Sequence, residues 1–541
     1  MDRRKFFQAA GTVTASSLTT APGFADEQAN HKASANVNVD RQRRTTGSWF
    51  DPSRTWHFFD LWHMDHIEQL RLRQGRAEYQ ADATFTDPPI GSLASWPTVY
   101  RDDTTGNWRM LYSAGWKPYQ LMIAESDDGR QWHPLPQPDV LPDGDKIAPH
   151  HLFTLEGGSG GAVYLDPIAA DGFPFKVFVH CQGQPAHQRA VADPKHRWHE
   201  IARRSGAERF INDEFTLVSD DGIHWQPRYD LSWSLADWHP EPPIFGYYNR
   251  LTGRHTMTVR PGWGDRRQCL QTTSDFKRWS GPELLVQPDF SDQELIEFYG
   301  LPVFPYGDGF VGMLWIFHCE SDEPTRGFNR FTGPLDCQLA FSHDGIRFSR
   351  GAREPFIEVR NDDPAIGGAI EPSCLVQTDD ELRIYSSASK VHHGRSGDAR
   401  RRGIEDVASI TLHTLRKDGL TFLETTGDQG RFISKPLVLL SPEWNVNAAA
   451  AFGEIRFQLT DMESRPIEGF TFDDCIALTA DDALAFDVRW KRNSLADIVN
   501  KIVRLEVRMR HARLFAIRGH FHFIDAQDRS LIQAGHPIVV A

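Results

Sequence analysis

Two short segments of the sequence begin in the same way and place a glutamate at equivalent positions. They are "EPPIF", which starts at Glu241, and "EPSCL", which starts at Glu371. "WPTVY" puts Trp96 at the same position of an earlier segment, and Glu297 lies five residues before Pro302 in "ELIEFYGLPVF". If these segments lead into the first strands of repeated units around one axis, the three glutamates and the tryptophan face a common cavity.

Carboxyl groups that face one another across a cavity can hydrolyse a glycosidic bond. One carboxyl donates a proton to the leaving oxygen, while the other activates a water molecule or attacks the anomeric carbon. Crowding of carboxyls raises the pKa of one of them, which keeps it protonated near neutral pH. A lone glutamate at a strand start is more often a solvated or turn residue. A catalytic role is favoured here because Glu241 and Glu371 occupy equivalent positions. Sugar recognition also favours aromatic, arginine and histidine side chains at the rim, and we expect it from Trp96, Arg266, His392 and His393.

A recurring turn indicates the elements that position these groups. "SDDGRQW" at 126–132 returns as "SDDGIHW" at 219–225 and "SHDGIRF" at 342–348, with weaker versions at 274–279 and 416–422. The Asp-Gly pair is typical of a tight turn, and the bulky residue after it re-enters a strand. A turn repeated about every 70 residues is typical of an array of small sheets. We expect Asp128, Asp221 and Asp344 to be structural.

The segments before the turns complete the predicted unit. Each contains a hydrophobic strand, a Gly/Asp turn and a second hydrophobic strand, followed by a third strand, the repeated turn and a fourth strand. This is the plan of a propeller blade. The sequence therefore predicts an all-β protein with a five-bladed β-propeller over residues 51–426. From 427 to 541, segments such as "IVRLEVRMR" alternate apolar and charged residues, which predicts a C-terminal β-sandwich.

Composition and motifs exclude several other classes of function. A net charge of −14 argues against nucleic acid or an anionic membrane surface as a partner. The sequence has no GxSxG, P-loop or GxGxxG motif, which gives little support to serine hydrolase, nucleotide or nicotinamide chemistry. The pair His392-His393 has no carboxylate at ligand spacing, so we expect no metal, and we expect no cofactor. The expected partner is a carbohydrate substrate.

The N-terminal residues are typical of an export signal. Arg3 and Arg4 precede Phe6 and a short, mildly apolar run that ends near Ala25. This resembles a twin-arginine signal, and the run is too short for a permanent membrane anchor. We therefore expect a signal peptide at 1–25, a linker at 26–50 and a periplasmic or secreted protein. The alternative is a disordered basic tail.

The repeats and the sandwich together resemble the superfamily of five-bladed propeller glycoside hydrolases, families 32, 43 and 68. The likeness covers about residues 60–424. Glu241-Pro242-Pro243 stands where family 32 has a Glu-Cys-Pro motif with the acid/base, although the cysteine is missing. Asp87 in "FTDPPIG" is the nearest match to that family's nucleophile motif, with Asp60 as a competitor. The chain also resembles a group of uncharacterised exported bacterial proteins that share the "SDDGIHW" turn.

These observations predict an exported glycoside hydrolase that acts on a plant or microbial glycan. Its acid/base pair is drawn from Glu241, Glu297 and Glu371, with Asp87 as a further candidate for nucleophile or base. The alternative is a non-catalytic glycan-binding propeller, in which the glutamates bind sugar hydroxyls without cleavage. A third possibility, a protein-interaction scaffold, predicts a flat or apolar face in place of the polar cavity.

Overall fold

The computed structural model describes most of the chain after residue 53. It covers residues 54–87, 96–116, 118–140, 146–155, 158–180, 194, 215–228, 230–231, 241–261, 266–293, 295–320, 331–360, 362–394, 403–404 and 407–536. Nearly all regular structure in these residues is β, as the sequence predicted. The exceptions are one α-helix, described below, and short 3-10 turns at Ala81–Ala83, Pro364–Ile366 and Leu495–Ile498. No helix within the described ranges is long and apolar enough to cross a membrane.

Four short strands come first and pair with strands far along the chain. They are β1 (Arg54–His57), β2 (Met64–Glu68), β3 (Leu70–Gln74) and β4 (Glu78–Tyr79).

Two antiparallel sheets of five strands follow. The first contains β5 (Thr98–Arg101), β6 (Trp108–Trp116), β7 (Tyr119–Ser126), β8 (His133–Pro134) and β9 (His151–Leu155). The second contains β10 (Ser159–Gly160), β11 (Tyr164–Leu165), β12 (Phe175–His180), β13 (Phe215–Ser219) and β14 (Gln226–Arg228).

The third sheet has four antiparallel strands, β15 (Glu241–Asn249), β16 (Arg254–Arg260), β17 (Gln268–Thr273) and β18 (Glu283–Val286). A nine-stranded sheet comes next. Its first group is β19 (Ile296–Gly300), β20 (Val303–Tyr306), β21 (Gly309–His318), β22 (Leu335–Ser342) and β23 (Ser349–Arg350). Its second group is β24 (Ala369–Gln377), β25 (Glu381–Ser389) and β26 (Ala408–Arg416), with β4 paired to β26. The two groups are joined by one parallel pair, Leu335 with Ala369.

The last part of the chain forms an eleven-stranded, nearly closed sheet. Its own strands are β27 (Thr421–Thr425), β28 (Gly430–Ser434), β29 (Leu437–Ala449), β30 (Glu454–Thr460), β31 (Leu478–Thr479), β32 (Asp482–Asp487), β33 (Ile502–Arg510) and β34 (Arg513–Phe523). Strands β1, β2 and β3 add to it by pairing with β34, β28 and β27. The N-terminal strands thus belong partly to the C-terminal sheet, so strand pairing does not follow the domain boundary drawn at residue 426. The helix α1 (Ala526–Gln533) follows β34 and is capped by Asp525.

The first four repeated turns connect β7 to β8, β13 to β14, β17 to β18 and β22 to β23, as predicted. In the first turn the Asp128 carboxylate accepts hydrogen bonds from the N–H groups of Arg130 (2.7 Å) and Gln131 (2.9 Å). Gly129 has a φ of 72°, which favours glycine. The fifth turn differs, because Asp418 takes the left-handed conformation (φ 60°) in place of the following glycine. Asp221 and Asp344 accept the same pair of backbone hydrogen bonds in the second and fourth turns, so the structural roles expected for Asp128, Asp221 and Asp344 are confirmed.

Each of the first four turns packs against another strand group: the first turn against the last group, and the other three against the group before them in the chain. The Tyr385 hydroxyl on β25 donates to the carbonyl of Gly129 in the first turn (2.6 Å). The Tyr247 hydroxyl on β15 likewise donates to the carbonyl of Gly345 in the fourth turn (2.5 Å). Phe276, in the third turn, stacks on Phe178 of the second sheet at 6.3 Å between ring centroids. The second turn reaches the first sheet, since a Cβ at Gly222 would lie 3.0 Å from the Tyr100 hydroxyl.

The first strands of all five groups converge. A cavity of about 220 Å³ is lined by residues of β5, β15, β20 and β24 and by the segment around β11. A buried cluster next to these strands also takes one or more side chains from every group: Trp96, Ala162, Phe245, Trp315, Phe317, Leu335 and Ala369. Of the predicted site residues, Trp96 belongs to this buried cluster, and Glu371 lies on β24 beside it.

Candidate active site

Glu371 is the carboxyl at the centre of the candidate site. It belongs to β24, opposite Ser387 of β25. Its Oε2 accepts a hydrogen bond from the indole Nε1–H of Trp96 at 2.9 Å. Burial raises the pKa of Glu371 to about 7, although the Trp96 hydrogen bond and the charge of Arg260 both favour the ionised form. Glu371 is therefore partly protonated at neutral pH, which suits a proton donor.

Trp96 lies beside this carboxyl but is itself buried. Its side chain is 5% exposed and packs in the cluster that contains Phe245 and Trp315. We expected Trp96 to bind substrate, yet a ring so covered offers little surface on which a sugar could stack. The structure brings Trp96 and Glu371 together, as their equivalent positions predicted, and connects them directly.

Glu297 is the second predicted carboxyl and is already paired. It forms a buried ion pair with Arg266, and both side chains are a tenth exposed or less. The guanidinium of Arg266 also lies over the rings of Tyr299 (5.3 Å) and Phe317 (5.4 Å). Because its charge is neutralised by a fixed arginine, Glu297 fits an anchor for Arg266 better than a base or nucleophile.

Arg260 and Tyr299 complete the cluster, and the alignment of the first strands did not select them. The Arg260 guanidinium lies 4.2 Å from the centroid of the Tyr299 ring, and its charge acts on Glu371. Arg260 ends β16, directly opposite Glu241 at the start of β15. The side chain of Glu241 lies outside the described part of the structure, so only the backbone register relates Glu241 to Arg260. Residues directly opposite each other in an antiparallel pair share one face of the sheet. Arg260 could therefore have been selected as the cross-strand neighbour of Glu241.

The two predicted histidines, His392 and His393, have different contacts. His393 contacts the rings of Tyr299 (4.7 Å) and Phe317 (5.1 Å). Burial, followed by the charges of Arg266 and Arg260, lowers the pKa of His393 to about 3, so its imidazole is neutral. His392 instead pairs with Glu320 at 3.3 Å. His393 thus belongs to the cluster around Arg266, whereas His392 is engaged beside it.

Asp87 lies in a different cluster. Its carboxylate accepts hydrogen bonds from the Tyr112 hydroxyl (2.7 Å) and pairs with Nε2 of His150 (2.8 Å). These groups pack with Phe85 against the first sheet, and Asp87 is 3% exposed. The Asp87 carboxylate thus attaches its segment to the first sheet through Tyr112 and His150. Among the described residues, no three His, Cys, Asp or Glu side chains come together as a metal site would require.

Comparisons with known proteins agree with this architecture only at a distance. No protein-family model matches the chain, and no curated protein sequence matches it. Solved structures similar to it include the catalytic domain of a family 62 α-L-arabinofuranosidase from Coprinopsis cinerea (TM-score 0.40, 12% identity, 64% of this chain and 98% of that one). Others are a family 32 β-fructofuranosidase from Bombyx mori (0.35, 10%, 83% and 94%) and a β-1,2-mannobiose phosphorylase from Listeria innocua (0.40, 9%, 64% and 98%). Two of these three structures are glycoside hydrolases, the class that the sequence resembles, and all three are distant matches.

Proposed function

We propose that this chain is an exported glycoside hydrolase that cleaves a plant or microbial glycan with Glu371 as the proton donor. The observation that carries the proposal is a carboxyl with a pKa of about 7 at the point where the first strands converge. A carboxyl that keeps its proton near neutral pH is the requirement for protonating a glycosidic oxygen. Export rests on the twin-arginine pattern at residues 1–25, which lies outside the described residues.

The proposed scaffold is a five-bladed β-propeller followed by a β-sandwich. Support comes from the order in which the turns dock: the first turn on β25, the second on the first sheet, the third on the second and the fourth on the third. The parallel pair between Leu335 and Ala369 links the remaining two groups. In this arrangement the last blade takes its outer strand, β4, from the N-terminal segment, which would close the ring.

The chemistry follows from the protonation state of Glu371. Its proton passes to the glycosidic oxygen as the bond from that oxygen to the anomeric carbon breaks, and the bond electrons stay on the oxygen. Glu371 is left as a carboxylate. The second carboxyl in the proposal is Glu241, which either activates the water that attacks the anomeric carbon or attacks that carbon itself. A carboxyl separation of about 5–5.5 Å would give retention of configuration, and about 6.5–9.5 Å would give inversion.

Tyr299 and His393, which are partly exposed, are the proposed contacts for sugar hydroxyls, whereas Arg260 is 4% exposed and acts on Glu371 through its charge. A tyrosine hydroxyl donates and accepts hydrogen bonds, and so does a neutral imidazole. Arg266 would act indirectly, because its charge is held by Glu297 and its guanidinium covers Tyr299 and Phe317.

A non-catalytic glycan-binding propeller is the alternative, and two observations favour it. Glu297 is neutralised by Arg266, and Asp87 is held by Tyr112 and His150. Of the four predicted catalytic carboxyls, two are therefore engaged elsewhere, and hydrolysis depends on Glu241 and Glu371.

The test is hydrolysis of a panel of aryl glycosides and plant polysaccharides by the purified protein and three variants. Glu371→Gln and Glu241→Gln each remove one proposed catalytic carboxyl with little change in shape. Glu283→Gln is the matched control, because Glu283 is an exposed carboxyl on β18. Cleavage that is lost in the first two variants and kept in the control supports the hydrolase. Glycan binding without turnover by the wild-type protein would contradict it and favour the alternative.

A further inference from the structure

Trp96 has an unusual backbone conformation. Its φ is 28°, in the left-handed region that side chains other than glycine rarely adopt, and it precedes Pro97. The Trp96 N–H donates to Oγ of Ser387 at 2.8 Å, and Ser387 lies opposite Glu371 in the β24–β25 pair. The surrounding contacts must hold this conformation, since it is unfavourable on its own.

The Trp96 side chain is fixed as firmly as its backbone. The indole packs with Phe245 and Trp315, and its Nε1–H reaches Oε2 of Glu371 at 2.9 Å. Two hydrogen bonds, one from the backbone and one from the ring, therefore connect Trp96 to the same pair of strands. A donor held in this way presents its N–H to one carboxyl oxygen without further reorganisation.

We propose that Trp96 is a positioning residue that confines the proton of Glu371 to Oε1. The inference rests on the proposed function, in which Glu371 is the proton donor. In a neutral carboxyl the carbonyl oxygen is the better acceptor, so the indole N–H selects Oε2 as the carbonyl oxygen. The O–H group is then at Oε1, and this is the oxygen that donates to the leaving group.

The same hydrogen bond adjusts the acidity of Glu371. The Trp96 N–H stabilises the carboxylate more than the neutral acid and therefore lowers the pKa that burial has raised. Loss of the N–H alone should raise the pKa of Glu371, because burial would remain while one stabilising contact disappears. From the strength of hydrogen bonds to charged groups, we expect a rise of about one unit.

An isosteric replacement separates the hydrogen bond from the bulk of the ring. Site-specific incorporation of 3-benzothienylalanine at position 96 keeps the shape of the indole and removes its N–H. The same replacement at Trp315 is the control, because the Trp315 Nε1–H donates to the carbonyl of Pro372 at 2.9 Å and not to a carboxyl. Infrared spectra across pH, with the spectrum of Glu371→Gln subtracted, report the C=O stretch of the protonated Glu371 carboxyl.

The expected result is an upward shift of about one unit for the replacement at position 96 and a smaller shift for the one at 315. An unchanged or lowered pKa at position 96, or an equal shift in the control, would overturn the proposal. Because the titration needs no substrate, this outcome is separate from a failure of the proposed hydrolysis. If hydrolysis is found, the alkaline limb of its pH profile should move upward with the replacement at 96.

Discussion

Replacing Glu371 with glutamine removes an ionisable group whose charge the folded protein disfavours. The pKa of Glu371 is 4.5 without the protein environment and about 7 in the folded chain. Below pH 4.5 the carboxyl is protonated in both the folded and the unfolded state, so it adds no penalty. As the pH rises from 4.5 to 7, the unfolded chain loses the proton first, and the folded state becomes progressively less stable.

The magnitude follows from the difference between the two pKa values, about 2.5 units. One unit corresponds to about 1.4 kcal/mol, which gives an upper estimate of about 3.5 kcal/mol above pH 7. Water reaches part of the side chain, and screening lowers the effect, so we expect about 2–3 kcal/mol. Glutamine carries no charge at any of these pH values and can still accept the Trp96 hydrogen bond.

The assay is urea unfolding of the wild type and of Glu371→Gln at a series of pH values from 4 to 8.5. The free energy of unfolding of the variant, relative to the wild type, should increase with pH across the window from 4.5 to 7. The exposed control Glu283→Gln should show no such change. A difference between Glu371→Gln and wild type that is independent of pH would refute the argument that burial keeps Glu371 protonated.

Three further results are expected. Glu297→Gln should lower the free energy of unfolding by about 3 kcal/mol, because it leaves Arg266 buried without its partner. In urea unfolding, the double variant Arg266→Met/Glu297→Leu should recover most of that loss. An equal loss in the double variant would contradict the pairing. Gly106→Ala should lower the free energy of unfolding by about 1 kcal/mol, because Gly106 has a φ of 76° and open space around it. Gly129→Ala (φ 72°) should lower it by at least about 1 kcal/mol more, because the new Cβ would meet the Tyr385 hydroxyl at 3.2 Å and Trp108 at 3.3 Å. Equal losses in thermal unfolding would show that the first turn is not packed against β25. With a cleaved glycan or alkyl glycoside, whose leaving group needs a proton, kcat/KM should fall as the pH rises through about 7 and Glu371 loses its proton. A profile that is flat from pH 6 to 8.5 on such a substrate would exclude Glu371 as the acid.

The repeated turns were predictable because their geometry is local. Ser, Asp and Gly at fixed spacing satisfy the turn by hydrogen bonds within a few residues, as Ser126 and Asp128 do. The fifth turn shows the limit of this reasoning. Asp418 also accepts hydrogen bonds from His57 and Asn447, which are distant in sequence, and these contacts accompany a different backbone conformation.

The candidate site could be predicted only in part. Glu371 and Trp96 were found because equivalent positions in repeated units converge in space. Arg260 and Tyr299 were missed because they lie at the end of β16 and within β19, positions that the alignment of first strands does not include. The pairing of Glu297 with Arg266 depends on side chains of separate strands, and sequence spacing does not reveal which carboxyl is neutralised.

The N-terminal strands show the same limit at the level of the fold. Residues 54–79 were assigned to the predicted propeller by their position in the chain. In the structure, β1 to β3 pair with β34, β28 and β27, and β4 pairs with β26. Short strands carry little pattern of their own, so their partners are decided by long-range pairing.

The most direct test of the proposed acid compares leaving groups in Glu371→Gln. A dinitrophenyl glycoside needs no protonation to depart, whereas an alkyl glycoside or a natural glycan does. The variant should lose about 10²- to 10⁴-fold in kcat/KM on the glycan and much less on the dinitrophenyl substrate. Equal losses on both substrates, or no loss on either, would contradict Glu371 as the proton donor.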